Sequence, residues 1–192
     1  MNKVAIIGGG AAGMMAAYYA KLNNPENEVI LIEKNPYLGA KVIISGGGRC
    51  NVTTGIMEVK DVLLNYPRGA DFLRTAIFAF PPRAVMEFFE DLDVKLKIES
   101  DLRVFPVSDS GKDFVNALEK ALRELGVKIR VSLNVVDAKK IEDTFKLTTK
   151  SGEEIDVDKL IITTGGQAYR NTGSTGDGYA FALTMGHHLT KL

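Results

Sequence analysis

The sequence predicts a doubly wound α/β fold, in which parallel strands alternate with helices, extended by an antiparallel β-meander. Two short apolar strands, Lys3–Ile7 and Glu28–Glu33, flank a helix of about Ala11–Leu22. A third strand of the same kind, Val127–Val131, follows an amphipathic helix and is expected to run parallel to the first two, because such crossovers are right-handed. The meander comes next, with expected strands at 135–141, 144–149 and 154–157.

The elements of the first half are marked by apolar runs and by breakers. Both N-terminal strands are apolar without alternation, which is typical of strands buried on both faces. The residues Asn23-Asn24-Pro25 end the first helix. A long glycine-rich loop is expected from Asn35 to about Thr54. Two helices are expected after it, at Phe72–Ala79 and Pro82–Leu92.

The second half contains the clearest amphipathic helix, Asp113–Leu125, whose apolar residues form one stripe and which Gly126 ends. After the meander, Leu160–Thr163 is expected to return as a buried strand. The last predicted helix is Gly178–Met185, and a further strand is expected to begin within His188–Leu192.

Length and composition predict one domain over residues 1–192 and limit its partners. Twenty-four basic residues balance twenty-four acidic ones, which argues against nucleic acid or an anionic membrane as a partner. No apolar run reaches the ~20 residues of a membrane-spanning helix. The single cysteine, Cys50, excludes a disulfide within the chain and fits a cytoplasmic location. The 19 glycines cluster at 8–13, 46–48, 165–166 and 173–178, which indicates backbone that approaches a ligand closely.

The main motif is Gly8-x-Gly10-x-x-Gly13, between the first strand and the first helix. Gly8 permits the tight turn, Gly10 lets a pyrophosphate approach the backbone, and Gly13 lets the helix pack against the sheet. The helix N-terminus offers N–H groups to the phosphates. Glu33 follows at the end of the second strand, where a carboxylate accepts the hydroxyls of an adenosine ribose and disfavours NADP. Together these features predict dinucleotide binding, whereas the glycines alone would also fit a turn without a ligand.

A second glycine-rich segment, Ser45–Asn51, distinguishes FAD from NAD. In an NAD domain another helix would follow the second strand after a short connection. Here a long loop follows instead, and it contains three glycines, an arginine and an asparagine. The backbone N–H groups of Gly46–Gly48 can face phosphate or the flavin ring, and Arg49 supplies a cation. The dinucleotide is therefore predicted to be FAD.

Residues 3–55 closely resemble the HI0933-like (BaiN-type) flavoproteins, a bacterial family of NAD(P)/FAD-dependent oxidoreductases. The run Ser45–Asn51 is the most distinctive part of the resemblance, and Arg103–Pro106, Thr163–Gly166 and Gly173–Tyr179 extend it along the chain. The resemblance implies a Rossmann-like two-dinucleotide-binding-domain FAD fold. It also implies two-electron or hydride transfer through FAD, a small-molecule substrate, and NAD(P)H as a candidate electron donor.

The resemblance also extends the expected cofactor contacts. Val135 would present its backbone to the adenine, although it fits equally as a core residue of the meander. Thr163–Gly166 stands next to the cofactor, where this superfamily usually has Ala-Thr-Gly. Gly173–Gly178 is either a second glycine turn near the flavin or substrate, or an ordinary connection into a helix. The predicted cofactor-binding residues are Gly8, Gly10, Ala11, Ala12, Gly13, Glu33, Lys34, Lys41, Ser45, Gly46, Gly47, Gly48, Arg49, Cys50, Asn51, Val135, Thr164, Gly165 and Gly166.

No side chain is predicted to act as a general acid or base, because the flavin carries out the chemistry in such enzymes. Cys50 is a candidate for redox or covalent work, but cysteines packed in glycine loops are more often buried and inert. His187 and His188 do not combine with Cys50 at a metal-ligand spacing, so no metal site is expected.

The resemblance implies that relatives continue beyond the position of Leu192 into a substrate-covering domain and a C-terminal segment that completes the flavin site. The chain is therefore expected to be truncated or one product of a split gene, and to need a partner chain or the missing C-terminal half. Two alternatives to an FAD-dependent oxidoreductase stay open. One is a nucleotide-binding module without enzymatic activity, and the other is an NAD-dependent dehydrogenase.

Overall fold

The computed structural model describes residues 1–191 and divides the chain into two compact units. The first, the sheet unit, consists of residues 1–41 and the residues from 118 onward. The second, the inserted unit, consists of Val42–Ala117. Most of the glycine-rich loop and both helices predicted after the second strand therefore belong to a compact unit of their own. A single domain over residues 1–192 stays a prediction.

The secondary structure follows the predicted order, with additional short elements in the inserted unit. The strands are β1 (Lys3–Ile7), β2 (Glu28–Ile32), β3 (Thr53–Thr54), β4 (Leu96–Ile98), β5 (Arg103–Pro106), β6 (Lys128–Arg130), β7 (Val135–Ile141), β8 (Thr144–Thr149), β9 (Glu154–Val157) and β10 (Lys159–Ile162). The helices are α1 (Ala11–Leu22), α2 (Ala40–Ile44), α3 (Val59–Leu64), α4 (Ala70–Ala79), α5 (Pro82–Glu90), α6 (Gly111–Glu124) and α7 (Asp177–Thr184).

The sheet unit is built on a parallel sheet with the strand order β10-β1-β2-β6. Within it, Ile7 at the end of β1 lies opposite Ile162 of β10 and Ile32 of β2. The strand β6 pairs with β2 in parallel, which confirms the direction predicted for it. The carboxyl ends of β1, β2 and β10 therefore meet at one edge of the sheet, the edge at which doubly wound folds bind their ligands.

Both faces of the parallel sheet are buried, which explains strands that are apolar without alternation. Ile6 and Leu31 are fully buried on one face, and α1 packs against β1, β2 and β10. Residues that alternate with them point to the opposite face and join the meander and α7 in one core. This core consists of Ala5, Ile7, Ile30, Ile32, Val135, Ala138, Leu147, Ile155, Val157 and Phe181.

The meander forms the predicted antiparallel sheet of β7, β8 and β9. Its three strands begin and end where the alternation of the sequence predicts, because one face is buried and the other is open to solvent. Ala138 and Leu147 pair across β7 and β8 on the buried face. The pairing shifts between Val135 and Asp137, so the first strand is irregular where it begins.

The inserted unit contains a small antiparallel sheet, β3-β5-β4, and a core formed by Cys50, Phe89, Val94 and Phe114. The prediction of a continuous loop from Asn35 to Thr54 is wrong, because α2 and β3 lie within it. The helix α2 has only five residues and is too short to show a helical period. The two-residue strand β3 exists because it pairs with β5, a distant partner that no local pattern indicates.

The C-terminal prediction is corrected as well. Residues 187–191 form neither helix nor strand, and Leu192 lies outside the described residues, so the strand expected within His188–Leu192 is not found. A strand needs a neighbour that satisfies its backbone N–H and C=O groups, and an apolar–polar pattern alone does not supply one. Among the described residues, no helix is long and apolar enough to cross a membrane.

Candidate nucleotide-binding site

The turn after β1 is closed by direct packing of glycines against backbone. Gly8 has a φ of +108°, and a Cβ there would lie 2.5 Å from the carbonyl oxygen of Thr163 at the end of β10. A Cβ on Gly13 would overlap the carbonyl oxygen of Gly8 and lie 2.7 Å from the Thr163 hydroxyl oxygen. Any side chain at either position would force the first turn of α1 away from the strand ends.

Gly10 differs from these two glycines because it faces open space. A Cβ on Gly10 would meet no atom within 4 Å. Gly10 is the N-cap of α1, no side chain caps the helix, and the first helical hydrogen bond runs from Met14 N–H to the Gly10 carbonyl. The N–H groups of Ala11, Ala12 and Gly13 precede that bond, so they are free of it and can donate to an anion.

Glu33 lies at the end of β2 beside this turn and is only 8% exposed. Its Oε2 accepts the backbone N–H of Gly9 at 2.7 Å, and its Oε1 accepts the N–H of Asn35 at 2.8 Å. A carboxylate has about four acceptor positions, so acceptor capacity remains for ligand hydroxyls. Gly9, which donates to Glu33, was not predicted from the sequence as a site residue. Only glycine fits there, because a Cβ would clash with the side chains of Leu38 and Glu33.

Lys34 and Lys41, both predicted to contact the cofactor, hold a distant segment of the sheet unit. Lys34 Nζ lies 2.6 Å from the Asp177 carboxylate and 2.6 Å from the Thr175 hydroxyl. Lys41 Nζ donates to the Ser174 hydroxyl at 2.7 Å. These contacts join the segment after β2 to the segment before α7 and leave the cofactor role of both lysines a prediction.

The glycines after β10 continue this edge of the sheet. Gly165 has a φ of +75°, and a Cβ there would lie 2.9 Å from the Ser174 hydroxyl, which is itself buried. The Thr164 hydroxyl accepts the N–H of Gly178 at 3.1 Å. A Cβ on Gly166 would lie 3.0 Å from the hydroxyl of Tyr179. Thr164, Gly165 and Gly166 therefore connect the sheet edge to the first turn of α7.

Val135 lies at the start of β7 and is 5% exposed, as part of the core between the parallel sheet and the meander. Its side chain is therefore a core side chain, and only its backbone is open to the adenine contact that was predicted. That contact stays a prediction.

The second predicted glycine segment lies in the inserted unit. Gly46, Gly47 and Gly48 all have positive φ, at 56°, 72° and 91°. A Cβ on Gly46 would lie 2.8 Å from the backbone nitrogen of Asn51, whereas Gly47 and Gly48 face open space. The Ser45 hydroxyl donates to the carbonyl of Val42 at 2.8 Å. The tight turn thus exposes backbone at two consecutive glycines.

The positive charge of Arg49 is balanced by carboxylates within the inserted unit. Its Nη1 lies 2.7 Å from Glu99 and 3.6 Å from Asp109, and its guanidinium carbon lies 3.8 Å from the centre of the Phe105 ring. The hydrogen bond with Glu99 raises the pKa of Arg49 above its ordinary value. Arg49 is therefore a cation held in place by two carboxylates, and its contact with the cofactor stays a prediction.

Cys50 is a core residue and 5% exposed. Burial raises the pKa of its thiol, and the effect of a hydrogen bond with Ser45, which lowers the pKa, is smaller. The nucleophilic form of cysteine is the thiolate, so these surroundings favour the inert interpretation over redox or covalent work. In the part of the chain that the structure describes, no group of His, Cys, Asp or Glu could hold a metal ion.

Comparison with known proteins gives one matching family model, described as the HI0933-like protein Rossmann domain, which covers residues 2–192. The chain is 33% identical over its whole length to a 3-dehydro-bile acid delta(4,6)-reductase of Clostridium scindens, of which it covers 46%. It is 29% identical over 94% of its length to a ribosomal RNA dihydrouridine synthase of Escherichia coli, of which it covers 44%. The chain therefore spans less than half the length of these curated relatives.

Solved structures share the same fold. The quinol fumarate reductase of E. coli matches 95% of this chain with a TM-score of 0.72 and 20% identity, and the match covers 37% of that protein. A flavocytochrome c3 fumarate reductase matches 95% of the chain with a TM-score of 0.60, also at 20% identity, and over 40% of its own length. With the parallel sheet, these matches confirm the predicted Rossmann-like α/β fold.

Proposed function

The chain belongs to the HI0933-like family, and on that premise we propose that it is the FAD-binding part of an oxidoreductase. The observation that carries the proposal is the open space at Gly10, in front of an uncapped helix N-terminus and beside the Glu33 carboxylate. A pyrophosphate needs backbone N–H donors at close approach, and an adenosine ribose needs an acceptor within the same turn. The sheet unit offers both.

Different residues of the sheet unit would bind the phosphates and the adenosine ribose of FAD. The N–H groups of Ala11, Ala12 and Gly13 would donate to the phosphate oxygens, helped by the positive end of the α1 dipole. Glu33 would accept the ribose hydroxyls while Gly9 and Asn35 keep its carboxylate in place. When bound, FAD supplies two-electron or hydride transfer, and the protein orients and shields it.

The reaction of the whole protein is part of the proposal. The two curated relatives are named for a reductase and for the synthesis of dihydrouridine, which are both reductive reactions. The first of these relatives is named for a small molecule, a 3-dehydro-bile acid, and on that likeness we propose reduction of a small-molecule substrate, with NADH or NADPH as the electron donor. A partner chain or the part of the relatives' length that this chain does not span would complete the substrate pocket. A cytoplasmic location is proposed on the single, buried thiol of Cys50.

The first experiment identifies the cofactor. Purified protein is denatured, and the released molecule is identified by its absorbance spectrum and its mass. Released FAD, together with FAD reduction by NADH or NADPH, supports the proposal. FAD without reduction favours a nucleotide-binding module that is not an enzyme by itself. Tight binding of NAD with no affinity for flavin favours the NAD-dependent dehydrogenase and refutes the FAD assignment.

The second experiment tests the ribose contact through Glu33→Gln. Its readout is the ratio of the affinities for ADP and for dideoxy-ADP, which lacks the adenosine ribose hydroxyls. Hydrogen bonds to a charged group contribute ~1.5–3 kcal/mol, so the wild type should prefer ADP by about tenfold or more. In Glu33→Gln the ratio should fall towards unity.

The matched control is Glu28→Gln, at the opposite end of β2, where Glu28 pairs with Lys128 at 2.9 Å. This variant should keep the wild-type ratio. The ratio also separates ligand contact from folding. Any loss of stability from the two disturbed backbone hydrogen bonds would lower the affinity for both ligands alike and leave the ratio unchanged. If the wild type binds ADP and dideoxy-ADP equally, Glu33 does not bind the ribose.

A further inference from the structure

Thr163 is the first residue after β10 and lies level with the glycine turn. Because Ile162 lies opposite Ile7, Thr163 lies next to Gly8 where β1 ends. Its hydroxyl oxygen is 2.9 Å from the carbonyl oxygen of Ile7 and 3.0 Å from that of Gly8. The hydroxyl has one proton for these two acceptors. Because the Ile7 carbonyl already accepts the backbone N–H of Thr163 at 2.8 Å, we assign the hydroxyl proton to the Gly8 carbonyl.

The Gly8 carbonyl belongs to the same peptide unit as the N–H of Gly9. In a trans peptide the C=O and N–H groups point in opposite directions. The N–H of Gly9 donates to Glu33 Oε2 at 2.7 Å, and the carbonyl of Gly8 faces the Thr163 hydroxyl. Thr163 and Glu33 therefore hold one peptide unit from its two sides.

This peptide unit needs such a restraint because glycines flank it. Gly8 and Gly9 can adopt backbone conformations that other residues avoid, so their own φ and ψ preferences do not fix the orientation of this unit. If it turned, the carbonyl oxygen of Gly8 would face the Glu33 carboxylate, and the N–H that orients this carboxylate would be lost. The space around the Gly8 carbonyl is also closed, since a Cβ on Gly13 would overlap its oxygen.

We propose that Thr163 is a positioning residue for the dinucleotide, acting through the Gly8–Gly9 peptide on the carboxylate of Glu33. The inference rests on the proposed function. The hydroxyl holds the peptide in the orientation that presents its N–H to Glu33, so that the carboxylate is set for the ribose hydroxyls before the ligand arrives. The residue type matters, because alanine or valine at this position would leave the Gly8 carbonyl without this donor.

The test compares Thr163→Val with Thr163→Ser. Valine keeps the β-branched shape and removes the hydroxyl, whereas serine keeps the hydroxyl. FAD affinity should fall about fivefold in Thr163→Val, the effect of one ordinary hydrogen bond, and stay within about twofold of the wild type in Thr163→Ser. ADP affinity should fall by the same factor, because the contact concerns the adenosine side of the ligand.

The control is Thr184→Val, since the Thr184 hydroxyl donates to the carbonyl of Phe181 at 2.8 Å at the end of α7. It should lower the unfolding midpoint without changing FAD affinity. In the Glu33→Gln background, Thr163→Val should lose its effect on FAD affinity, because the positioned group is gone. Unfolding midpoints in urea are measured for every variant.

Three results would overturn the inference. They are unchanged FAD affinity in Thr163→Val, equal losses in Thr163→Val and Thr163→Ser, or additive losses with Glu33→Gln. If Thr163→Val does not fold, Thr163→Ala takes its place in the same comparison with Thr163→Ser. Failure of the wild-type chain to bind either FAD or ADP refutes the proposed function itself, so the two failures are distinguishable.

Discussion

Replacing Gly10 with alanine should separate cofactor binding from folding. Gly10 has a φ of −79° and a ψ of −172°, an extended conformation that alanine adopts without strain. The added methyl group would meet no protein atom within 4 Å. At such a compatible position, the exchange stabilises a chain by ~0.4–1 kcal/mol because it restricts the unfolded state. Alanine is a poorer N-cap than glycine, which offsets this gain, so the ligand-free protein should be about as stable as the wild type.

The same methyl group should weaken FAD binding strongly. It would occupy the space in front of the N–H groups of Ala11 and Ala12, which a phosphate must enter to accept their hydrogen bonds. A hydrogen bond to a charged group contributes ~1.5–3 kcal/mol, so the loss of one such bond lowers the affinity by about tenfold to a hundredfold. The expected result for Gly10→Ala is a stable protein that binds FAD poorly.

Gly13→Ala is the contrasting variant, because its Cβ would overlap the Gly8 carbonyl oxygen. Overpacking of this kind costs ~1–3 kcal/mol or more, so Gly13→Ala should unfold at lower urea concentration even without ligand. Urea denaturation gives the stability of both variants, and titration followed by flavin fluorescence gives the affinity. Gly10 does not face the phosphates if Gly10→Ala binds FAD like the wild type, and its surroundings are not open if Gly10→Ala is as destabilised as Gly13→Ala.

Two further predictions concern titratable groups. The thiol of Cys50, buried and with a raised pKa, should react with a thiol reagent much more slowly in the native protein than in urea, and equal rates would contradict its core position. Burial raises the pKa of Asp177, but hydrogen bonds from Lys34 and Thr175 outweigh it and hold the pKa below its ordinary value. The stabilisation by Asp177 is therefore present above pH ~4 and lost as the pH falls below it. Asp177→Asn should then lose less stability than the wild type between about pH 5 and pH 3, and identical acid limbs would show that the ion pair does not contribute.

The parallel sheet and the meander could be predicted from the sequence because their signals are local. Continuous apolar runs mark β1 and β2, and the alternation of β7–β9 reproduces the observed bounds. The inserted unit was predicted less well. Its strands β3 and β4 have two and three residues and are defined by pairing with β5, so their formation depends on long-range contacts.

The candidate site shows the same division between local and distant information. Gly8, Gly10 and Gly13 were singled out by their spacing between a strand and a helix together with Glu33, and each has its own steric environment in the turn. The partners of Lys34 and Lys41 could not be predicted, since Asp177 and Ser174 lie more than a hundred residues away in the sequence. The role of Thr163 was equally hidden, because it depends on the register between β10 and β1.

The pairing of β1 with β10 also has a consequence for the order of assembly. The glycine turn leaves the ribosome some 150 residues before the backbone at Thr163, which forms one wall of the turn. Contacts between such remote segments form late, since a long loop must close before they stabilise the chain. During synthesis the glycine turn therefore stays incomplete until β10 has been made and has paired with β1. The dinucleotide should be captured only after translation has passed β10, and the nascent chain before that point should be a substrate for chaperones and proteases.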